Sequence, residues 1–171
     1  MTKVFLKKRV GRRVEDGHPW VFGNEVDRVE GDSAGGGIVE LLTHDKKFIG
    51  RGYINLQSQI AVRLLTRDRK EQIDEGFFFN RLEEAWRYRE RLGYTDNCRL
   101  VFGEADYLPG LIIDKFSDVF VLQTLSFSID GVRLVPQTLS FSIDGVGLVL
   151  QTLTFSIHGV GFSDQIEKLV E

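Results

Sequence analysis

The sequence lacks the residues that several kinds of protein require. Cys98 is the only cysteine in 171 residues, which excludes a disulfide framework and a cysteine-based zinc site within one chain. No apolar run approaches the roughly 18 residues of a membrane-spanning helix, and no membrane partner is predicted. Residues 1–9 carry charges without a following apolar stretch of signal-peptide length, so we expect a cytoplasmic protein. The histidines are scattered without metal-ligand spacing, and no metal site is predicted.

The small net charge of −3 conceals an uneven distribution of charged residues. Residues 1–70 carry 14 lysines and arginines against 9 acidic residues, whereas residues 71–121 carry 6 against 11. A basic segment on an acidic chain indicates a polyanionic partner such as nucleic acid. A basic surface that contacts only solvent is the alternative interpretation.

The first third of the chain has the pattern of short strands. A strand is predicted over residues 3–8 and a helical turn within the basic residues 9–16. Three more strands are expected over residues 38–43, 47–55 and 59–66, each after turn-forming residues. Short strands spread over about 65 residues are typical of a small β-barrel or pseudobarrel.

A long helix and two strands are predicted next. Apolar residues recur near the 3.6-residue period through residues 71–92, with Asp74 suited to the beginning of the helix and Gly93 to its end. Strands are expected over residues 99–102 and 111–116, on either side of a turn-rich loop.

A 14-residue unit occurs three times in the last third, at residues 123–136, 137–150 and 151–164. A period this short fits only β arrays. Asp-Gly at 130–131 and 144–145 is typical of two-residue hairpin turns, because both positions of a type I′ turn need positive φ. His-Gly at 158–159 is a weaker example of the same turn.

The strand between two such turns cannot keep one apolar face. Apolar residues occupy even positions from Val132 to Leu134 but odd positions from Leu139 to Ile143. Because side chains alternate with a period of two, a bulge or break is predicted near Pro136. Residues after Ser163, a good N-cap, are predicted to start a helix.

Several separated motifs together resemble one known family. In chain order they are HPWVF at 18–22, FIGRGY at 48–53, IAVR at 60–63, FF and RL at 77–78 and 81–82, and GEADYLPGLIIDKF at 103–116. They are similar to motifs of the bacterial large-subunit ribosomal RNA cytosine methyltransferases, which make 5-methylcytosine with S-adenosylmethionine. The resemblance covers roughly residues 1–125. It implies an N-terminal RNA-binding PUA domain and a central α+β domain that links it to a catalytic domain.

The sequence departs from that family where the catalytic domain would begin. A Rossmann-like domain holds its cofactor with a glycine-rich turn between a strand and a helix. Here Gly35-Gly36-Gly37 precedes a predicted strand, and the glycines of the repeats belong to predicted hairpins. Cys98 has no base near it in sequence and is interpreted as a structural thiol. We therefore expect no catalytic and no cofactor-binding residue, a chain truncated after a tandem expansion, and S-adenosylmethionine only for the full-length family.

Eight residues are candidates for RNA contact: Lys7, Lys8, Arg9, Arg12, Arg13, His18, Trp20 and Arg51. The five cations of residues 7–13 would neutralise phosphates. His18 and Trp20 would stack on a base, although packing of Trp20 in the core is the alternative. Arg51 lies between two glycines, which permit close backbone approach, and an ordinary turn or bulge is the alternative.

We therefore expect an α+β chain of four parts. A PUA-like pseudobarrel occupies residues 1–70, a small α+β linker domain with one long helix residues 71–122, a β-hairpin repeat tail residues 123–164, and the start of an interrupted helix residues 165–171. The predicted function is binding of structured ribosomal RNA without methyl transfer by this chain alone. The alternatives are a fragment of a full-length active methyltransferase and a β-repeat module for self-association.

Overall fold

The chain folds into two compact units, the first comprising Met1–Glu71 and the second beginning at Gln72. The computed structural model describes residues 1–32, 37–117 and 119–124, and the backbone of the strands at 138–143, 146–151, 156–157 and 160–161. No helix of these described residues is long and apolar enough to cross a membrane.

The first unit is a six-stranded mixed sheet with one short helix. Its elements are β1 (Thr2–Leu6), α1 (Arg12–Glu15), β2 (Trp20–Phe22), β3 (Val26–Glu30), β4 (Ile38–Leu42), β5 (Phe48–Ile54) and β6 (Ile60–Thr66). The strand order is β2-β6-β5-β4-β1-β3, and β1 lies parallel to β4. The other described pairs are antiparallel. A 3₁₀ turn, Gly23–Glu25, joins β2 to β3.

The core of this unit is built from the apolar residues of its strands. Val4 and Leu6 of β1, Val21 of β2 and Val62 of β6 are almost fully buried. Val14 is also fully buried, and it attaches α1 to the same core. Burial of one apolar side chain of this size contributes about 1.5–3 kcal/mol, so a four-residue helix is held by packing rather than by its own propensity.

The predicted strands of this unit are present, and two strands that were not predicted accompany them. β1 ends at Leu6, two residues before the predicted limit. The strand β2 has three residues and directly follows a proline, so it is too short for a periodic signal. In β3, the half-buried Val26 and Val29 are three positions apart, and they share one face only because the register with β1 shifts between Phe5 and Leu6. A shifted register hides the two-residue period.

The second unit places one long helix beside a mixed sheet. Its elements are α2 (Glu75–Arg91), β7 (Asn97–Phe102), β8 (Leu111–Phe116), β9 (Val119–Thr124), β10 (Thr138–Ile143), β11 (Val146–Gln151), β12 (Ser156–Ile157) and β13 (Val160–Gly161). The larger sheet has the order β10-β11-β9-β8-β7, with β11 parallel to β9. A 3₁₀ turn, Gly103–Asp106, joins β7 to the loop before β8.

Both predicted ends of the long helix are confirmed. The Asp74 side chain accepts a hydrogen bond from the Phe77 N–H at 3.0 Å, as an N-cap does. Gly93 has φ +81°, and the N–H of Tyr94 donates to the Arg89 carbonyl at 2.9 Å. This is the Schellman arrangement that a left-handed glycine permits.

The repeat strands that are described pair across two of the predicted turns. Ile143 lies opposite Val146, and Ile157 lies opposite Val160. The predicted hairpin at residues 130–131, the break near Pro136 and the helix after Ser163 lie outside the described residues.

Candidate nucleic-acid interface

The cations that the sequence singled out follow β1 directly. Residues Lys7–Arg13, here called the basic segment, run from the end of β1 into α1. Lys7, Lys8, Arg9 and Arg12 are exposed, whereas Arg13 is only half-exposed. Within the described residues, Lys7, Lys8 and Arg9 form no ion pair, and Arg12 lies 3.8 Å from Asp16, which is also exposed. An ion pair this exposed contributes little, so the four charges remain available to a partner.

The backbone of the basic segment has a fixed path. The Lys7 N–H donates to the Glu25 carbonyl at 2.9 Å, and the Val10 N–H donates to the Lys7 carbonyl at 3.3 Å. Arg9 and Gly11 have φ of 68° and 93°. A Cβ on Gly11 would lie 2.4 Å from Cδ1 of Leu6, so both the conformation and the close approach to the core require glycine. The chain therefore reverses tightly here and presents the cations on one turn.

Unlike the other cations of the basic segment, the Arg13 side chain binds groups within the first unit. Its Nη2 donates to both carboxylate oxygens of Glu25, at 3.2 and 3.0 Å, and to the Trp20 carbonyl at 3.1 Å. Glu25 also accepts from the Phe22 N–H at 2.8 Å. The guanidinium also lies 5.0 Å from the centre of the Phe22 ring, in a cation–π contact. Its buried Nη1 has no hydrogen-bond partner among the described residues. Arg13 thus ties α1 to β2 and to the 3₁₀ turn.

His18 and Trp20 lie at the entrance to β2. Nδ1 of His18 accepts from the Trp20 N–H at 3.1 Å, and the two rings meet edge to face with centres 5.5 Å apart. Both residues are half-buried, so Trp20 is neither a core residue nor a freely exposed ring. The Arg67 side chain donates to the His18 carbonyl at 3.1 Å, which joins this corner to the end of β6.

The Arg51 side chain forms its hydrogen bonds within the first unit. Its Nη2 donates to the carbonyls of Asp68, Arg69 and Glu71 and thereby holds the segment after β6. The glycines on either side of Arg51 allow close approach, as the sequence suggested, but to a neighbouring strand: a Cβ on Gly52 would lie 1.9 Å from the Arg63 carbonyl oxygen. The register of β5 with β6 shifts between Arg51 and Gly52, which is the bulge that the alternative interpretation expected.

Sequence reasoning missed Glu25, which organises this corner. Its carboxylate binds the guanidinium of Arg13 and the backbone of Phe22, while its carbonyl binds Lys7. The available signal was an acidic residue three positions after Phe22, in a turn that contains Gly23 and Asn24.

The second unit carries few features that suggest reaction chemistry. Burial raises the pKa of the half-buried Cys98 thiol, which Lys115 and Arg89 lower to a smaller extent. A protonated thiol is a poor nucleophile. Among the described residues, no three His, Cys, Asp or Glu side chains are grouped closely enough to share a metal ion. Asp106 and Asp114 bind Arg89 and Arg99 instead of acting as a carboxylate pair.

Comparison with known proteins gives the class of the first unit. Residues 4–67 match the family model described as a PUA-like domain. “A putative sam-dependent methyltransferase” from Streptococcus mutans has the same fold over 74% of this chain and 34% of its own, with a TM-score of 0.62 and 18% sequence identity. A second solved structure, titled “a putative methyltransferase complexed with SAH”, gives the same TM-score at 18% sequence identity.

Curated relatives then give the family. The chain is 44% identical over 113 residues to ribosomal RNA large subunit methyltransferase I of Klebsiella pneumoniae. These residues make up 64% of this chain and 28% of the relative. It is 35% identical over 135 residues to the enzyme of that name from Aliivibrio fischeri, covering 77% of this chain and 34% of the relative. The chain belongs to this bacterial large-subunit ribosomal RNA methyltransferase family, as the sequence motifs indicated, and spans about a third of the length of these relatives.

S-adenosylmethionine is the cofactor that family membership implies. A Rossmann-like cofactor turn runs from a strand through glycines into a helix. Of the helices in the described residues, only α2 is longer than two turns, and the segment before it, residues 67–74, contains no glycine. The described residues therefore do not fit such a turn.

Proposed function

We propose that this chain binds structured ribosomal RNA through the basic segment of its PUA-like unit. The observation that carries the proposal is the presentation of Lys7, Lys8 and Arg9, all exposed and unpaired within the described residues, on one fixed turn. Cations held in place at a surface neutralise phosphates without losing further backbone freedom, which favours association with RNA.

The eight candidate residues take different roles in this proposal. Lys7, Lys8, Arg9 and Arg12 contact phosphates, while His18 and Trp20 contact the neighbouring nucleotide from the half-buried corner at β2. Arg13 and Arg51 act through the fold, because their guanidinium groups are bound within the unit. Arg13 positions the segment, and Arg51 holds the chain after β6.

Methyl transfer belongs to the full-length relatives in this proposal. We expect the chain alone to transfer no methyl group to cytosine, since the described residues do not fit the cofactor turn. Titration calorimetry with S-adenosylmethionine tests this expectation, and measurable binding would contradict it.

The alternative, a fragment of an active methyltransferase, predicts a longer product of the same gene on an immunoblot. Because the proposed partner is bacterial ribosomal RNA, we expect the protein in the cytoplasm.

The proposed division of the chain keeps residues 1–70 as the RNA-binding domain, residues 71–122 as the α+β linker, residues 123–164 as the hairpin repeats and residues 165–171 as a helix start. Self-association through the repeats is the second candidate function, supported by the position of β10 at the edge of the larger sheet, since edge strands can pair with another chain. Deletion of residues 123–164 tests it by light scattering. Oligomers that persist after the deletion would exclude the repeats as their cause.

The RNA-binding proposal is tested with two variants that change the same charge in the same unit. Lys7→Gln/Lys8→Gln alters the basic segment, whereas Lys46→Gln/Lys47→Gln alters the exposed turn between β4 and β5. Affinity for a ribosomal RNA fragment is measured by fluorescence anisotropy at several salt concentrations. We expect the first variant to lose roughly tenfold in affinity near 0.1 M salt and to reduce the salt slope by about two. The second variant should change both the affinity and the salt slope little.

Two outcomes would contradict the proposal. Equal losses in both variants would mean that only net charge matters. Absence of salt-dependent affinity in the unmodified chain would remove RNA binding altogether.

A further inference from the structure

A pocket beside the basic segment has the composition of a nucleobase site. It has a volume of about 390 Å³ and is lined by Phe22, Gly23, Asn24 and Gln59. Among the described residues, no charged side chain lines it. The side-chain amides of Asn24 and Gln59 are exposed and have no hydrogen-bond partner within the described part of the chain.

The fold forms this pocket before any ligand arrives. The Gly23 N–H donates to the Gln59 carbonyl at 2.9 Å, which holds the end of β2 to the start of β6. The register of β2 with β6 shifts between Val21 and Phe22. Side chains alternate between the two faces of a strand, and Phe22 accordingly is half-exposed while Val21 is buried.

We infer that this pocket takes one unpaired RNA base, and this inference rests on the proposed RNA binding. An aromatic ring supplies a face for stacking, and carboxamides supply both donors and acceptors for a base edge. The absence of charge in the lining favours a neutral base over a phosphate. Glu25 follows Asn24 in the sequence, and its carbonyl accepts a hydrogen bond from the Lys7 N–H. The pocket therefore adjoins the basic segment. Phosphate contacts then position the strand, and the pocket selects an unpaired nucleotide.

Two variants address the pocket without changing charge. Phe22→Ala removes the stacking face. Gly23→Leu fills the space, since a Cβ on Gly23 would meet no atom closer than 4.0 Å and its backbone is unstrained. Leu56→Ala is the control, because Leu56 is 54% exposed and lies in the turn between β5 and β6, outside the pocket lining.

The experiment compares an RNA hairpin that has a single-stranded loop with a fully paired duplex of the same length. We expect the unmodified chain and Leu56→Ala to bind the hairpin roughly tenfold more tightly than the duplex, the effect of one stacked base. Gly23→Leu should lose this preference and keep its affinity for the duplex. Phe22→Ala should lose the preference and, because its ring also contacts Arg13, part of the affinity for the duplex. Lys7→Gln/Lys8→Gln should weaken binding of both RNAs equally.

Titration of the four ribonucleosides, followed by NMR, gives a readout that needs no phosphate. The side-chain amide signals of Asn24 and Gln59 should shift, and Phe22→Ala should abolish the shift. If both pocket variants keep the hairpin preference, or the amide signals do not respond, the inference is overturned while RNA binding by the basic segment stands. If no RNA binds but the amides respond to nucleosides, the pocket stands and the proposed function fails.

Discussion

The exposed cations of the basic segment and three cations of the second unit are used in opposite ways. In the first unit, Lys7, Lys8 and Arg9 extend from a turn without ion-pair partners among the described residues. In the second, Arg89 forms a two-bond ion pair with Asp106, and Arg99 binds Asp114 at 2.8 and 3.1 Å. Lys115 donates to two backbone carbonyls, at 2.7 and 2.6 Å. Availability, rather than number, therefore distinguishes a cation that can bind RNA from one that holds a fold.

Arg13 shows that the same distinction operates within the basic segment itself. Arg12 and Arg13 are neighbours in the sequence, yet the Arg12 side chain is 95% exposed and the Arg13 side chain 37%. Helical geometry turns adjacent residues about 100° apart, so one faces solvent and the other faces Glu25. The two roles therefore predict different effects of substitution.

The largest effect is expected from Arg89→Met in the second unit. The Arg89 and Asp106 side chains are only 12% and 10% exposed, so the substitution leaves a buried carboxylate that has lost its cation. We expect the free energy of unfolding to fall by about 3 kcal/mol. Urea unfolding followed by Trp86 fluorescence, in a Trp20→Phe background, reports on this unit. Arg87→Met, which breaks the exposed pair with Glu83, should cost less than about 0.5 kcal/mol.

Gly11→Ala should be the next most disruptive change, in the unit that presents the free cations. The substitution forces a side chain into a left-handed conformation and against Leu6, so we expect a loss of about 2 kcal/mol. Gly17→Ala is the matched control, because Gly17 has φ +120° but no atom within 4 Å of its Cβ. Trp20 fluorescence in a Trp86→Phe background measures both. Equal losses would show that the contact with Leu6 contributes nothing.

Arg12→Met and Arg13→Met should separate the two uses of a cation. Arg13→Met should lower the free energy of unfolding by about 1 kcal/mol, a moderate loss because the ion pair is partly exposed. Arg12→Met should leave stability unchanged and reduce the salt slope of RNA binding by about one. Denaturation and anisotropy on the same two proteins provide the comparison. The reverse pattern would refute the assignment of roles.

The smallest expected effect concerns the Cys98 thiol. Burial raises the pKa of this thiol, so folding favours its protonated form. The resulting contribution to the free energy of unfolding is present below the ordinary cysteine pKa and is lost as pH rises through the raised pKa of the folded protein. The pH profile of iodoacetamide alkylation should therefore lie above that of a cysteine peptide. Lys115→Met removes a neighbouring charge that lowers this pKa, so it should move the profile further upward. A profile below that of the peptide would indicate an activated thiol.

Much of the fold was readable because its signals are local. The period of α2, the N-cap at Asp74 and the left-handed Gly93 each depend on a few neighbouring residues, and all agree with the structure. β3 was not readable, since its register shift involves a partner strand some twenty residues earlier in the chain, and such pairings leave little trace in one sequence.

The sequence by itself determined the family, the PUA-like class of the first unit and the position of its excess positive charge. These follow from motifs, residue types and their order along the chain. Only the tertiary structure decided that Arg13 and Arg51 bind carboxylate and carbonyl groups inside the unit, and that Phe22, Asn24 and Gln59 line one pocket. The physical reason is that a side chain becomes occupied or available through its neighbours in space, and folding brings these from distant parts of the chain.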